Sequence, residues 1–196
     1  SDVVLFFIGY NVSQTEKERR RTPAFLRLSC EEMDEIVVNR RVDEYYMRRA
    51  LSLALRGMGR TSPNPMVGCV LVRDGRILGE GWHRRCGEEH AEVAALKDAE
   101  RRGETARGAE VYVTLEPCCH FGRTPPCAQR LVREGVSRVV AGTADPNPKV
   151  NSGGLAVLRE AGVEVSAPCL EEEVRWVNRG FIRVQTLGRP WVTLKA

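Results

Sequence analysis

"HAEVAAL" (His90–Leu96) and "TLEPCCHFGRTPPC" (Thr114–Cys127) decide how this chain is read. Histidine nitrogen and cysteine thiolate are what zinc takes from a protein, and a nearby carboxylate that stays off the metal can move protons. Whether they can meet depends on the elements that carry them. "EEHAEVAALKDAERRG" reads as a helix that stops at Gly103, with His90 near its N-terminus and Glu92 in its first turn. "EVYVTL" (Glu110–Leu115) reads as a buried strand. Cys118 follows Pro117 where the chain leaves that strand, and Cys127 opens the next helix, "PPCAQRLVREG", behind two prolines. In an α/β sheet the carboxyl ends of strands and the N-termini of helices share one rim, so His90, Cys118 and Cys127 can converge there.

Working outward, "DEYYMRRALSLALRG" from Asp43 places Tyr46, Met47, Ala50, Leu51 and Ala54 on one helix face and stops at Gly57. "MVGCVLV" and "RILGEG" flank Asp74-Gly75, a strong hairpin signal. "SRVVAG", "GGLAVLREAG" and "VEVSA" continue as strand, helix and strand. The order α-β-β-α-β-α-β-α-β predicts an α/β fold: a three-layer α/β/α sandwich around a mixed, mostly parallel sheet.

Three protein ligands leave the fourth tetrahedral position of zinc open for water, as catalytic sites do, and zinc lowers that water's pKa to about 7. Glu92 is placed to take the water's proton and hand it to a ring and then to a departing amine. H-x-E followed by P-C and a second Cys is the pattern of the zinc nucleobase deaminases. A closed structural zinc site would instead recruit Cys119 or His120 as a fourth ligand, and would have no use for Glu92.

From about Asp43 onward the chain resembles the deaminase half of the bacterial-type bifunctional deaminase/reductase of riboflavin biosynthesis. That family is the diaminohydroxyphosphoribosylaminopyrimidine deaminases, with a cytidine-deaminase-like fold. The resemblance rests on "SPNPMVGCVLV" at Ser62, "GEGWHRRCGEEHAEVAAL" at Gly79, "YVTLEPCCHFGRTPPC" at Tyr112 and "DPNPKV" at Asp145. Eight residues separate Cys118 from Cys127, similar to this family's form, where many deaminases keep two. The resemblance implies hydrolytic deamination of a phosphoribosylated diaminopyrimidine with release of ammonia. It implies Zn2+ on His90, Cys118 and Cys127 and proton transfer by Glu92. It also puts Asn64, His83, His120, Arg123, Thr124, Asp145 and Asn147 around the substrate, Arg123 offering a planar fork to its phosphate. Two positions depart from the pattern: Cys119, where the family often has a small polar residue, and Arg123, where Lys is also familiar. The alternatives are a deaminase of cytidine, guanine or a tRNA adenosine, and a non-catalytic zinc-stabilised binding module.

A formal net charge of only +4 gives little electrostatic footprint for nucleic acid, so the expected partner is a small phosphorylated pyrimidine. "VVLFFIG" (Val3–Gly9) is far too short to span a bilayer and lacks a basic leader. Seven cysteines without a secretory signal point to a reducing compartment, the cytoplasm or an organellar stroma, rather than to a disulfide framework. Residues 1–42 read as a loosely ordered N-terminal extension and residues 43–188 as the deaminase domain. "RPWVTLKA" (Arg189–Ala196) resembles the first strand of a following reductase domain, expected in the full-length protein. No dinucleotide fingerprint is present, and a homo-oligomer is left open.

Overall fold

Alternation along the strands sorts the core into two layers, one on each face of a single sheet. The computed structural model describes residues 30–119, 125–147 and 153–195. In chain order the first elements are α1 (Cys30–Ala54), β1 (Gly68–Arg73), β2 (Arg76–Trp82), α2 (Ala91–Arg101) and β3 (Glu110–Leu115). There follow α3 (Cys127–Glu134), β4 (Arg138–Thr143), α4 (Gly153–Glu160), β5 (Glu164–Ser166), α5 (Glu171–Val177) and α6 (Arg179–Leu187). Cys69, Leu71, Val111, Val113, Val139 and Ala141 pack with α2, α3 and α4. Their neighbours Val70, Val72, Tyr112 and Val140 face the other way, against Tyr46, Met47, Ala50 and Leu53 of α1. Strands buried on both faces in this manner require helical cover on each side.

The sheet order is β2-β1-β3-β4-β5. β1 is antiparallel to both β2 and β3, while β3–β4 and β4–β5 are parallel. Four strands therefore share one direction and β1 alone is reversed, which is the mixed, mostly parallel sheet expected. The hairpin turns at Asp74 (φ 53°) and Gly75 (φ 73°), the left-handed pair that a two-residue type I′ turn demands. Further along β2, a Cβ on Gly81 would sit 2.4 Å from the Ala91 carbonyl oxygen, and one on Gly79 2.4 Å from that of Ala95. Only glycine lets α2 lie directly on the β2 backbone, and that contact fixes the start of α2 relative to the sheet.

Two features differ from the expected order. The first helix begins at Cys30 instead of Asp43, because no Gly or Pro between those positions interrupts it. α5 and α6 follow β5 as helices of 7 and 9 residues, too short for periodicity to stand out. Beyond α6, residues 189–195 form no regular element, and Arg179 stacks against the rings of Trp176 (4.4 Å) and Trp191 (5.5 Å). The chain divides into two units, Ser1–Arg40 and Arg41–Ala196. In the first, residues 30–40 are helical and residues 34–40 are exposed.

Direction decides where chemistry can gather. β2, β3 and β4 end on one rim, giving way to His83, Glu116 and Asp145. Because β1 is reversed, the segment leading into it, Asn64–Val67, reaches the same rim.

Candidate active site

His90 is the N-cap of α2, with extended backbone at φ −71° and ψ 160°, and Glu92 is the helix's second residue. Cys118 lies three residues past β3, and Cys127 is the first residue of α3. His90 Nδ1 lies 3.3 Å from Cys127 Sγ and 3.6 Å from Cys118 Sγ, and the three ligand atoms all fall within 4.8 Å of one another. Tetrahedral zinc with ordinary N and S bond lengths holds such atoms about 3.5–3.8 Å apart, so the donor set fits that ion. The Cys127 backbone N–H, at a helix N-terminus, donates to Cys118 Sγ at 3.3 Å.

The electrostatics point the same way. Cys118 is lowered to about 4, first by its hydrogen bond with Cys127, and its bond with His90 helps against the opposing burial. His90 is raised to about 9, chiefly by its hydrogen bond with Cys118. Cys127 is pushed upward by its bond to the Cys118 sulfur. The hydrogen bonds of the trio thus favour thiolate, the metal-binding form of cysteine, at Cys118. Cys119 stays out of the trio: a Cβ on Gly153 would meet its sulfur at 2.8 Å, so it lies against the start of α4.

Glu92 is 4% exposed. Burial pushes its carboxyl up to about 7, and the nearby Cys118 charge adds to this while His90 opposes it. A carboxyl poised there both accepts and returns a proton near neutrality. His90, Glu92 and Cys118 line a cavity of about 290 Å³ together with Asn64, His83, Asp145 and Asn147.

Hydrogen bonding fixes the form of His83, which is buried. The Glu89 carbonyl, 2.9 Å from Nδ1, can only accept, so Nδ1 carries the proton. Nε2 then accepts from the Asn64 amide at 3.2 Å. Asp145 accepts the Asn147 N–H at 2.8 Å, an Asx turn that shapes this part of the rim. His120, Arg123 and Thr124 lie outside the described residues.

Residues 40–143 match the family model for the cytidine and deoxycytidylate deaminase zinc-binding region, just over half of the chain. The chain belongs to that family. Within it, the chain is 45% identical over 148 residues to the diaminohydroxyphosphoribosylamino-pyrimidine deaminase of Buchnera aphidicola subsp. Schizaphis graminum, covering 76% of this chain and 99% of that one. The riboflavin biosynthesis protein RibD of Escherichia coli is 55% identical over 153 residues, which are 78% of this chain but 41% of RibD. A crystal structure of a diaminohydroxyphosphoribosylaminopyrimidine deaminase/5-amino-6-(5-phosphoribosylamino)uracil reductase from Thermotoga maritima superposes with a TM-score of 0.76 at 46% identity. It covers 78% of this chain and 44% of the Thermotoga chain. The deaminase-family chain thus spans less than half the length of its two longer relatives.

Sequence reasoning missed several residues at this site. Glu116 is buried, and its carboxylate accepts backbone N–H groups from Asp145 (3.1 Å), Gly154 (2.9 Å) and Leu155 (3.2 Å). It ties the rim after β4 to the N-terminus of α4, where a negative charge is favoured. Phe181 and Gln185 of α6 also line the cavity. Four residues apart, they share one face of α6, a relation that becomes visible only once the helix is known.

Proposed function

We propose that this domain hydrolytically deaminates diaminohydroxyphosphoribosylaminopyrimidine, a step in riboflavin biosynthesis. The observation that carries the reading is Glu92, a buried carboxyl beside a His–Cys–Cys trio and open to the same cavity. A merely structural metal has no work for it. His90 Nδ1 and the sulfurs of Cys118 and Cys127 would hold zinc; when bound, the ion supplies Lewis acidity that brings the pKa of a water to about 7. Glu92 accepts that water's proton as oxygen attacks the ring carbon bearing the amine. It returns that proton to the ring nitrogen, then takes the second proton from the hydroxyl now on the carbon and gives it to the amine as the C–N bond breaks. The new C=O keeps the water's oxygen, and ammonia leaves.

Asn64 and the Nδ1–H form of His83 orient the ring, and Asp145 with Asn147 bounds the ribose side. His120, Arg123 and Thr124 meet the phosphate, where the guanidinium fork suits paired oxygens. Residues 43–188 act as the deaminase domain, and the full-length protein carries a reductase domain as well, in keeping with the deaminase/reductase name of the Thermotoga chain, of which this chain covers 44%. The partner is a small phosphorylated pyrimidine, and a reducing cytoplasm or organellar stroma suits the thiolate ligands.

The test is ammonia release by the purified protein from three substrates: the phosphorylated diaminopyrimidine, its dephosphorylated form and cytidine. The phosphorylated compound should be turned over with the highest kcat/KM. Preference for cytidine, or no release from any of the three, overturns the reading.

A further inference from the structure

Asn178 stands between α5 and α6. Its backbone serves both helices: its N–H donates to the Val174 carbonyl at 3.1 Å, and its carbonyl accepts from Ile182 N–H at 2.9 Å. An asparagine at a helix N-terminus ordinarily caps that helix with its side chain, yet this one makes no such bond. Its amide turns instead to Met66, 112 residues away in the chain. Oδ1 accepts the Met66 N–H at 2.8 Å, and Nδ2 donates to the Met66 carbonyl at 2.9 Å. The amide thus pairs with Met66 as a neighbouring strand would. The residue is 3% exposed.

What this clamp joins is the cavity itself. On one side, Asn178, Phe181 and Gln185 recur along one face of α6, and the last two line the pocket. On the other, Met66 is two residues from Asn64, with prolines at positions 63 and 65 limiting backbone freedom on both sides of it. Asn64 in turn holds His83 Nε2, and His83 Nδ1–H holds the carbonyl of Glu89, the residue before His90.

We propose that Asn178 is a positioning residue for substrate binding, locking α6 to the Asn64 segment so that the two line the pocket side by side in one geometry. This inference rests on the reading of the pocket as a diaminopyrimidine deaminase site. Asn178 touches neither the zinc ligands nor Glu92, so its loss acts on KM rather than on kcat.

Asn178→Ala should raise KM for the phosphorylated diaminopyrimidine by about 5- to 30-fold, the effect of losing two hydrogen bonds. kcat should stay within about 3-fold and zinc content at the parent level. If Asn178 works through Asn64, the two losses are not additive. In an Asn64→Ala background, Asn178→Ala should then add less than about 2-fold to KM. A purely structural role moves the melting temperature and leaves the two KM effects additive. Asn178→Asp keeps the shape and the Met66 N–H bond while losing the donor. It is read in the same cycle, and decides the matter if the alanine variant does not fold. Unchanged KM, or equal KM effects in both backgrounds, with an active parent overturns this inference alone. A parent that releases no ammonia from that substrate overturns the functional reading and the inference with it.

Discussion

The two walls of the cavity are built on different plans. The metal wall, His90, Glu92, Cys118 and Cys127, comes from a stretch of fewer than forty residues, with each side chain at or near the start of a helix or just past the end of a strand. Backbone packing holds it: α2 lies on the glycines of β2, and the Cys127 N–H donates to the Cys118 sulfur. The second wall adjoins it, with the His83 and His90 rings 6.0 Å apart, and draws Asn64 from a loop, His83 from the end of β2, and Phe181 and Gln185 from α6. Side-chain bonds between distant segments hold that wall. On the proposed reading, groups that would hold one ion ride on element ends, and groups that would recognise a substrate hang on longer-range contacts that can be retuned.

The largest effect expected is on the metal wall. Cys127→Ser should lose its zinc and with it essentially all turnover, and should melt earlier, since metal binding energy is partly folding energy. Elemental analysis decides it, and full zinc occupancy in that variant would falsify the ligand set. Glu92→Gln separates chemistry from metal on the same wall. Zinc content and melting should match the parent while kcat falls about 100- to 10,000-fold, the usual cost of losing a general acid–base. A variant keeping more than a tenth of the parent's rate breaks the assignment.

Arg123→Ala asks whether recognition extends to a third region, the loop between the two cysteines. It should lower kcat/KM by about 10- to 150-fold for the phosphorylated substrate and far less for the dephosphorylated one. Arg123→Lys should restore part of the loss. Equal effects on both substrates remove the phosphate contact and leave the metal wall untouched. The smallest effect belongs outside both walls. Arg49 pairs with Glu80 through two hydrogen bonds, one of them 2.8 Å, at a half-buried position well away from the cavity lining. Arg49→Ala should cost less than about 1 kcal/mol in chemical denaturation and leave zinc content and KM unchanged.

The metal wall was legible in the sequence because its residues sit at boundaries that glycine and proline announce. Gly103 closes α2, and the prolines at 117, 125 and 126 bracket the two cysteines. The hairpin was readable for the same reason, from Asp74-Gly75. Glu116 gave no such signal. Its partners lie 29 to 39 residues further on, and a glutamate before Pro117 looks like any linker residue until the fold brings Gly154 to it. Asn178 was hidden more deeply, since an asparagine between two short helices reads as a cap, and only tertiary structure turns its amide toward Met66. The early start of α1 was missed because the reading began where the resemblance began, at Asp43, although no residue breaks the helix there.

With the candidate site gathered on one rim, the far end of the sheet lies away from it. There the chain reverses at Gly75, Gly103 and Gly162, and a side chain added at any of the three would meet nothing within 4 Å. Those turns are natural handles. A short affinity peptide or a labelled cysteine spliced into one of them reports on the protein from the end of the sheet away from His90, Cys118 and Cys127, so the domain can be tethered or tracked without touching the candidate site.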